Sequence, residues 1–107
     1  MTTWATFKTD IDKAIDMRAK RIDDNQNLIV KQLRQLGYSV YITSMVGNGF
    51  PDLVIGKRGK NYLVELKDGS KPLSARKLTD PEIKFISDWQ GEVIVAHDLD
   101  QILNQIK

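Results

Sequence analysis

The four residues Lys57-Arg58-Gly59-Lys60 constrain the fold of this chain most, because they separate two segments with the composition of β-strands. A tight turn on Arg58-Gly59, or a four-residue loop over the same positions, pairs residues whose numbers sum to 117. A three-residue loop or a bulge would shift this register and send the paired side chains to opposite faces of the sheet. The 117 register places Asp52 opposite Glu65.

The remaining pattern predicts an α/β fold with the element order α-β-β-β-α-β-α. Apolar residues at helical spacing predict a helix of about 12 residues that begins among residues 21–25 and stops at Gly37. Strands are predicted within residues 38–44, 53–55, 62–67 and 93–96. Thr79 and Glu82 form a capping box at the start of a second helix, which ends near Gly91, and Asp98 can cap a last helix.

Composition limits the classes of function. A chain of 107 residues is one domain, and its lack of cysteine excludes disulfide scaffolds, iron–sulfur centres and thiol catalysis. The single histidine, His97, precedes a helix cap and is interpreted as structural. Catalysis would therefore depend on carboxylates and lysines. The sequence has no apolar run that could span a bilayer, so we expect a cytoplasmic protein without a membrane partner.

Positive charge is concentrated in one part of the chain. Residues 57–77 hold seven bases and two acids, a charge of +5, while the net charge of the whole chain is +2, so the remaining residues carry −3. Such a segment is typical of an anion-binding surface, and nucleic acid is the commonest large polyanion; it is equally typical of a solvated loop. If the partner is DNA, we predict that the DNA backbone is contacted, and the bases are not read, by Lys71, Arg76 and Lys77.

The opposed acids predict a metal site. Two carboxylates on neighbouring strands repel each other unless a cation lies between them, and oxygen ligands suit Mg²⁺ or Mn²⁺. Because strand side chains alternate, Lys67 shares the face of Glu65. Taken singly, Asp52 is equally typical of a turn acid, and Glu65 and Lys67 of an exposed strand edge.

Phe50-Pro51-Asp52, followed by Glu65-Leu66-Lys67, resembles the signature of the PD-(D/E)XK nuclease superfamily. With the flanking segments 49–53, 63–69 and 78–79, the chain resembles the stand-alone VRR-NUC nucleases of phages and bacteria over about residues 21–107. Residues 1–20 would then be an N-terminal extension of weak helical pattern. The resemblance implies a restriction-endonuclease-like core, with a mixed central sheet flanked by helices.

The same resemblance implies site residues and an activity. Asp52 and Glu65, with the backbone carbonyl of Leu66, would hold Mg²⁺ or Mn²⁺, and Lys67 would position or deprotonate the attacking water. The implied activity is DNA endonuclease cleavage that leaves 5′-phosphate ends, with branched or four-way-junction DNA as a candidate substrate and a homodimer as the working form in a bacterial or phage-infected cell. The alternatives are a nucleic-acid-binding module with weak or no catalysis, and a nuclease subunit of a larger assembly.

Two positions depart from the family pattern. Gln26 stands where many members carry an acid, so it is either a metal ligand through its carbonyl or a helix-start residue that bonds nearby backbone. Glu82 stands where relatives often carry glutamine, and it either contributes to the site or serves only its capping box.

Three further features each have two interpretations. Arg58 is a candidate DNA contact or a solvated turn residue. The glycines of residues 46–49 would let DNA approach the sheet edge, or they form an ordinary turn. Trp89, Trp4 and Phe85 could stack on bases, but the helical spacing of Phe85, Ile86 and Trp89 favours a core role for Trp89.

Overall fold

The computed structural model of the protein describes residues 24–106. Its first helix, α1 (Asp24–Gln35), has the predicted length and ends where Gly37 adopts a φ of +91°. The Gly37 amide donates to the Arg34 carbonyl and the Tyr38 amide to the Leu33 carbonyl, which is the Schellman pattern that satisfies helix-end carbonyls. The predicted N-terminal extension, residues 1–20, lies outside the described residues.

Four strands form one mixed sheet: β1 (Ser39–Ile42), β2 (Leu53–Lys57), β3 (Lys60–Leu66) and β4 (Val93–Ala96). They lie in the order β1-β2-β3-β4, with antiparallel pairing from β1 to β3 and parallel pairing of β3 with β4. Parallel neighbours need a long connection, and helix α2 (Asp80–Asp88) lies in that crossover. The predicted mixed α/β architecture is confirmed for the described part of the chain.

The β2–β3 hairpin has the predicted register. Lys57 pairs with Lys60 and Leu53 with Val64, so every pair sums to 117. Arg58 and Gly59 have φ values of 54° and 79°, and two positive values at the central positions define a type I′ turn. The connection is therefore the two-residue turn, with neither a four-residue loop nor a bulge.

The core lies on one face of the sheet, where α1 and α3 (Leu99–Gln105) pack. The strands contribute alternate residues to this face, as a sheet covered on one side requires. Its fully buried large side chains include Ile29 and Leu33 of α1, Ile55 of β2 and Ile102 of α3. Asp98 caps α3 as predicted, because its side chain accepts from the Gln101 amide.

Helix α2 is packed differently, and one prediction about it is wrong. Thr79 and Glu82 form the predicted capping box. No residue of the helix is buried, however, and Trp89, which we expected in the core, is 45% exposed. The helical spacing predicts a buried face, but the neighbours that α2 packs against cover only part of that face. No helix within residues 24–106 is long and apolar enough to cross a membrane.

Candidate metal and catalytic site

Asp52 is fixed at the end of the hairpin opposite the turn. It directly precedes β2, and continuation of the 117 register places it across from Glu65. The backbone carbonyl of Asp52 accepts from the Thr43 amide at 2.7 Å. Its side-chain Oδ2 accepts from the Leu66 amide at 2.8 Å. The Asp52 carboxylate is therefore tied to the strand that carries Glu65 and Lys67.

Glu65 is a buried carboxyl group, with 4% of the residue exposed. Burial raises its pKa to about 10, helped by its hydrogen bond with Glu82 and by the negative charges of Asp52 and Glu82, against the opposing effect of Lys67. Burial also raises the pKa of Asp52, although the Leu66 amide favours its ionised form. At neutral pH Glu65 therefore keeps its proton.

Lys67 is held mainly by Glu82. Its Nζ lies 2.7 Å from Glu82 Oε1 and 3.6 Å from Glu65 Oε1. Burial lowers the pKa of Lys67, but the hydrogen bond with Glu82 and the surrounding carboxylates outweigh that effect and raise it. The lysine is therefore a cation, and the predicted proximity of Glu65 and Lys67 is confirmed.

Glu82 has two roles at once. Its Oε1 also accepts from the Thr79 amide at 2.8 Å, which completes the capping box at the start of α2. Burial works against its ionisation, but hydrogen bonds with Glu65, Lys67 and Thr79 lower its pKa to about 2. Glu82 and Glu65 thus share one proton, which stays on Glu65 because Glu82 lies closer to the ammonium. Glu82 Oε1 accepts from both Lys67 and the Thr79 amide, so contact with the site and capping of α2 are compatible.

The charges in this cluster do not balance. Within residues 24–106, Lys67 is the one ammonium that the structure places among Asp52, Glu65 and Glu82. With Glu65 protonated the cluster carries a charge of −1, and with all three acids ionised it carries −2. A divalent cation would offset both the burial cost of an ionised Glu65 and its repulsion by Asp52 and Glu82, and carboxylate oxygens are the donors that Mg²⁺ and Mn²⁺ prefer.

The donor set fits a metal held partly by water. Within residues 24–106, no group of three or more His, Cys, Asp or Glu residues is arranged to hold a metal ion. Two carboxylates, the carbonyl of Leu66 and water molecules would be the ligands instead, a combination that suits Mg²⁺, which keeps several waters. Asp52 and Glu65 are the residues that fit this arrangement.

Gln26 reaches this site through a residue that the sequence analysis missed. Gln26 is 5% exposed, and its Nε2 donates to Ser44 Oγ at 3.1 Å. Ser44 Oγ in turn lies 3.4 Å from Asp52 Oδ1, to which its hydroxyl can donate. The contact that the structure shows is this side-chain bond and not the bond to nearby backbone that was one of the two interpretations of Gln26; the other, a metal ligand through its carbonyl, stays a prediction. Ser44 follows β1, and the long connection from residue 43 to 52 gave no local signal of which residues it would bring together.

The basic residues separate into two groups. Lys71, Arg76 and Lys77 lie in the loop after Lys67, around a short 3-10 helix, Leu73–Ala75. The pKa of Asp68 in this loop is lowered, first by its hydrogen bonds from Ser70 and then by the charges of Lys71 and Arg76. Arg76 Nε is buried without a hydrogen-bond partner.

The second basic group surrounds the hairpin turn. Arg58 is exposed there, and the structure does not bring it to the carboxylates. Lys57 donates to the Leu36 carbonyl at 2.7 Å and lies 4.4 Å from the centre of the Tyr38 ring, so it joins the hairpin to the end of α1. This lysine has a structural role.

Gly49 is explained by packing within the protein, Gly47 fits either of its interpretations, and His97 has the predicted structural role. A Cβ on Gly49 would overlap the Pro81 carbonyl of α2, so the close approach at this glycine is made by the protein itself. A Cβ added to Gly47 would have no atom within 4 Å apart from its chain neighbours, so this glycine lies in open space. The His97 amide donates to Gln101 Oε1 at 2.8 Å, and its carbonyl accepts from Asn25 Nδ2 at 3.1 Å, which supports a structural role between α1 and α3.

Comparison of the chain with protein-family models, with curated proteins and with solved structures gave no match.

Proposed function

We propose that this protein is a Mg²⁺-dependent DNA endonuclease, with a restriction-endonuclease-like core of the PD-(D/E)XK type. The observation that carries the proposal is the meeting of Asp52, Glu65 and Lys67 at one end of the β2–β3 hairpin, with more negative charge than the single lysine neutralises. Excess acid around one partly buried lysine destabilises a fold, and such arrangements are typical of functional sites.

Each residue has a distinct task in this proposal. Asp52 and Glu65 would hold the metal with the Leu66 carbonyl, and the Leu66 amide orients Asp52 by its 2.8 Å hydrogen bond. When bound, Mg²⁺ supplies charge that lowers the pKa of water and offsets the negative charge on the phosphate. The ammonium of Lys67 would offset the negative charge that develops on the scissile phosphate in the transition state. Glu82 is a positioning residue, since it holds the lysine ammonium at 2.7 Å.

DNA is the proposed substrate because Lys71, Arg76 and Lys77 lie in the loop that follows Lys67, four to ten positions beyond it. Contacts from such a loop to phosphates flanking the scissile bond would hold the duplex without reading its sequence. A homodimer would present two such sites to the two strands, and a bacterial or phage-infected cell is the proposed setting.

A second candidate is a nucleic-acid-binding module without useful catalysis. The observation that favours it is Gln26, which stands at the position of a family acid and is hydrogen-bonded to Ser44. An amide adds no negative charge to the metal site. This candidate keeps the DNA-binding loop and predicts no dependence of DNA binding on Asp52.

Nicking of supercoiled plasmid and of a four-way junction in Mg²⁺ or Mn²⁺ separates the two candidates. We expect wild-type protein to cut and leave 5′-phosphate ends, and both Asp52→Asn and Lys67→Ala to lose at least about 100-fold in rate with the fold intact by circular dichroism. If wild type and Lys67→Ala cut equally poorly while both bind DNA, the endonuclease proposal fails and the binding module is favoured.

The role of Glu82 is tested with a matched pair of variants. Glu82→Ala removes both the lysine contact and half of the capping box, whereas Thr79→Ala removes the cap but leaves Glu82 to hold Lys67. We expect Glu82→Ala to lose at least about 10-fold in cleavage rate, the scale of a hydrogen bond to a charged group, and Thr79→Ala to lose only stability. Equal losses of cleavage rate in both variants would assign Glu82 a purely structural role.

A further inference from the structure

Three aromatic rings form a row that begins next to the candidate site. Phe50 lies two residues before Asp52 in the chain. Its ring contacts Phe85 of α2 edge to face, with 5.2 Å between centroids. The Phe85 ring in turn stacks on Trp89, with 5.3 Å between centroids and 17° between planes. The row therefore runs from the Asp52 loop outward along α2.

Trp89 ends the row as an exposed and firmly held platform. It is 45% exposed, although the Phe85 ring stacks on it. Gly91 lies against the edge of its indole ring, since a Cβ on Gly91 would come within 2.7 Å of Trp89 Nε1. With Phe85 stacked on one side and Gly91 at this edge, the ring is held in place before any ligand arrives.

The platform lines an open cavity of about 580 Å³, which also borders Asn48 and Pro81. This volume lies within the range of about 300–1,000 Å³ that is usual for small-ligand sites. The cavity is separate from the candidate site but close to it in the chain, because Pro81, which lines the cavity, directly precedes Glu82, which holds Lys67. Trp89 lies seven residues beyond Glu82, about 10 Å along a helix axis.

Charge at the cavity argues against phosphate as its occupant. Asp80 and Asp88 both line it, and the one lysine there, Lys84, already pairs with Asp88 at 2.8 Å. A nucleic-acid backbone would be repelled by these acids. A nucleobase is uncharged, stacks on aromatic rings, and carries amino groups that carboxylates and amides accept.

We propose that the Phe85–Trp89 groove is a stacking subsite for one unpaired nucleobase of the DNA substrate. This proposal rests on the proposed function, because it takes the strand in the groove to be the one that passes Asp52 and Lys67. A protein with this subsite would prefer DNA that has unpaired bases next to the cleaved phosphate. A paired base would first have to leave its base pair and its stack in the duplex. A second copy of the chain seated on the groove is the competing occupant.

Tryptophan fluorescence tests the subsite without cleavage. In EDTA, a Trp4→Phe variant reports only on Trp89, because the chain has two tryptophans. We expect single-stranded DNA to quench this emission and a blunt duplex of the same sequence to leave it unchanged. Absence of quenching while the single strand binds, or equal quenching by both DNAs, would overturn the proposal.

Binding of the two DNAs to matched variants gives the second arm. We expect Trp89→Ala to weaken single-strand binding by about 5- to 150-fold, with duplex binding within about 2-fold of wild type, and Trp89→Phe to recover most of the loss. Ile83→Ala is the control, since Ile83 is 48% exposed on the same helix but does not line the groove. Equal losses in the Ile83 and Trp89 variants would overturn the subsite.

Sedimentation of the same variants examines the competing occupant. A self-association that Trp89→Ala abolishes, together with unchanged single-strand binding, would assign the groove to a second copy and overturn the subsite. Failure of the proposed function has a different signature, namely no cleavage of any DNA in Mg²⁺. The fluorescence result in EDTA does not depend on that outcome.

Discussion

The two ends of the β2–β3 hairpin carry similar numbers of charged side chains but use them differently. At the turn end, Lys57 donates to the Leu36 carbonyl and covers Tyr38, while Arg58 is exposed. At the other end, Asp52 and Glu65 are drawn into the protein, and the pKa of Glu65 rises to about 10 because of burial, Glu82 and Asp52. One end satisfies its charges with backbone and solvent, whereas the other retains a negative charge that no residue of the described part of the chain neutralises.

This difference shows that charged residues close together in the sequence need not form one charged surface in the fold. The +5 segment of residues 57–77 is divided by β3, whose first and last charged residues, Lys60 and Glu65, are five positions apart. Five positions of a strand span about 17 Å. Only the bases after Lys67 lie in the segment that leaves the carboxylate end.

The largest expected effect comes from two glycines, one near each end of the hairpin. Gly49 and Gly59 have nearly the same φ, +80° and +79°, but a Cβ on Gly49 would overlap Pro81 whereas one on Gly59 would have nothing within 4 Å. We expect Gly59→Ala to cost about 1–2 kcal/mol of unfolding free energy from backbone strain, and Gly49→Ala about 1–3 kcal/mol more from overpacking. Urea denaturation measures both, and equal costs would mean that α2 is not packed on the Gly49 loop.

The next effect concerns the pH dependence of stability in EDTA. The pKa of Glu65 is raised from 4.5 unfolded to about 10 folded, so between these values the folded state holds a proton that the unfolded state has lost. The contribution of Glu65 to the free energy of unfolding is therefore fully present below pH 4.5 and is lost as the pH rises toward 10. Glu65→Gln should remove that loss and be more stable than wild type at pH 8 by at least about 1.4 kcal/mol, the equivalent of one pKa unit.

The control for this prediction is Glu92→Gln, which removes an exposed carboxyl group. Thermal unfolding at pH 5 and pH 8 should give this control the same pH dependence as wild type. A Glu65→Gln variant that is less stable than wild type at pH 8 would mean that Glu65 is ionised and stabilised in the folded protein.

The smallest effect compares the two basic groups directly. Lys71→Gln combined with Arg76→Gln should weaken binding to all DNA sequences and reduce the salt slope of binding by about 2, one for each phosphate contact. Arg58→Gln combined with Lys60→Gln removes the same charge at the turn end and should change the slope by less than half as much. Filter binding or fluorescence titration measures the salt slope. An equal reduction of this slope in the two double variants would mean that DNA covers both ends of the hairpin.

Local signals predicted much of this geometry. The Arg58-Gly59 turn determined the register of Asp52 and Glu65, and Thr79 with Glu82 marked the start of α2, because each signal lies within a few residues. The contact of Glu82 with Lys67 and that of Ser44 with Asp52 depend on how distant segments pack, so spacing could not predict them. The error at Trp89 has the same origin, since helical spacing defines a face but not what covers it.

The most direct test of the central claim is calorimetric titration of the protein with Mn²⁺ at pH 8 in two buffers of different ionisation enthalpy. We expect wild type to bind the ion and release a proton from Glu65, so that the measured heat differs between the buffers. Asp52→Asn should bind at least about 10-fold more weakly, while Glu92→Gln should bind as wild type does. Equal Mn²⁺ affinity in wild type and Asp52→Asn would contradict the claim that the Asp52–Glu65 pair is a metal site.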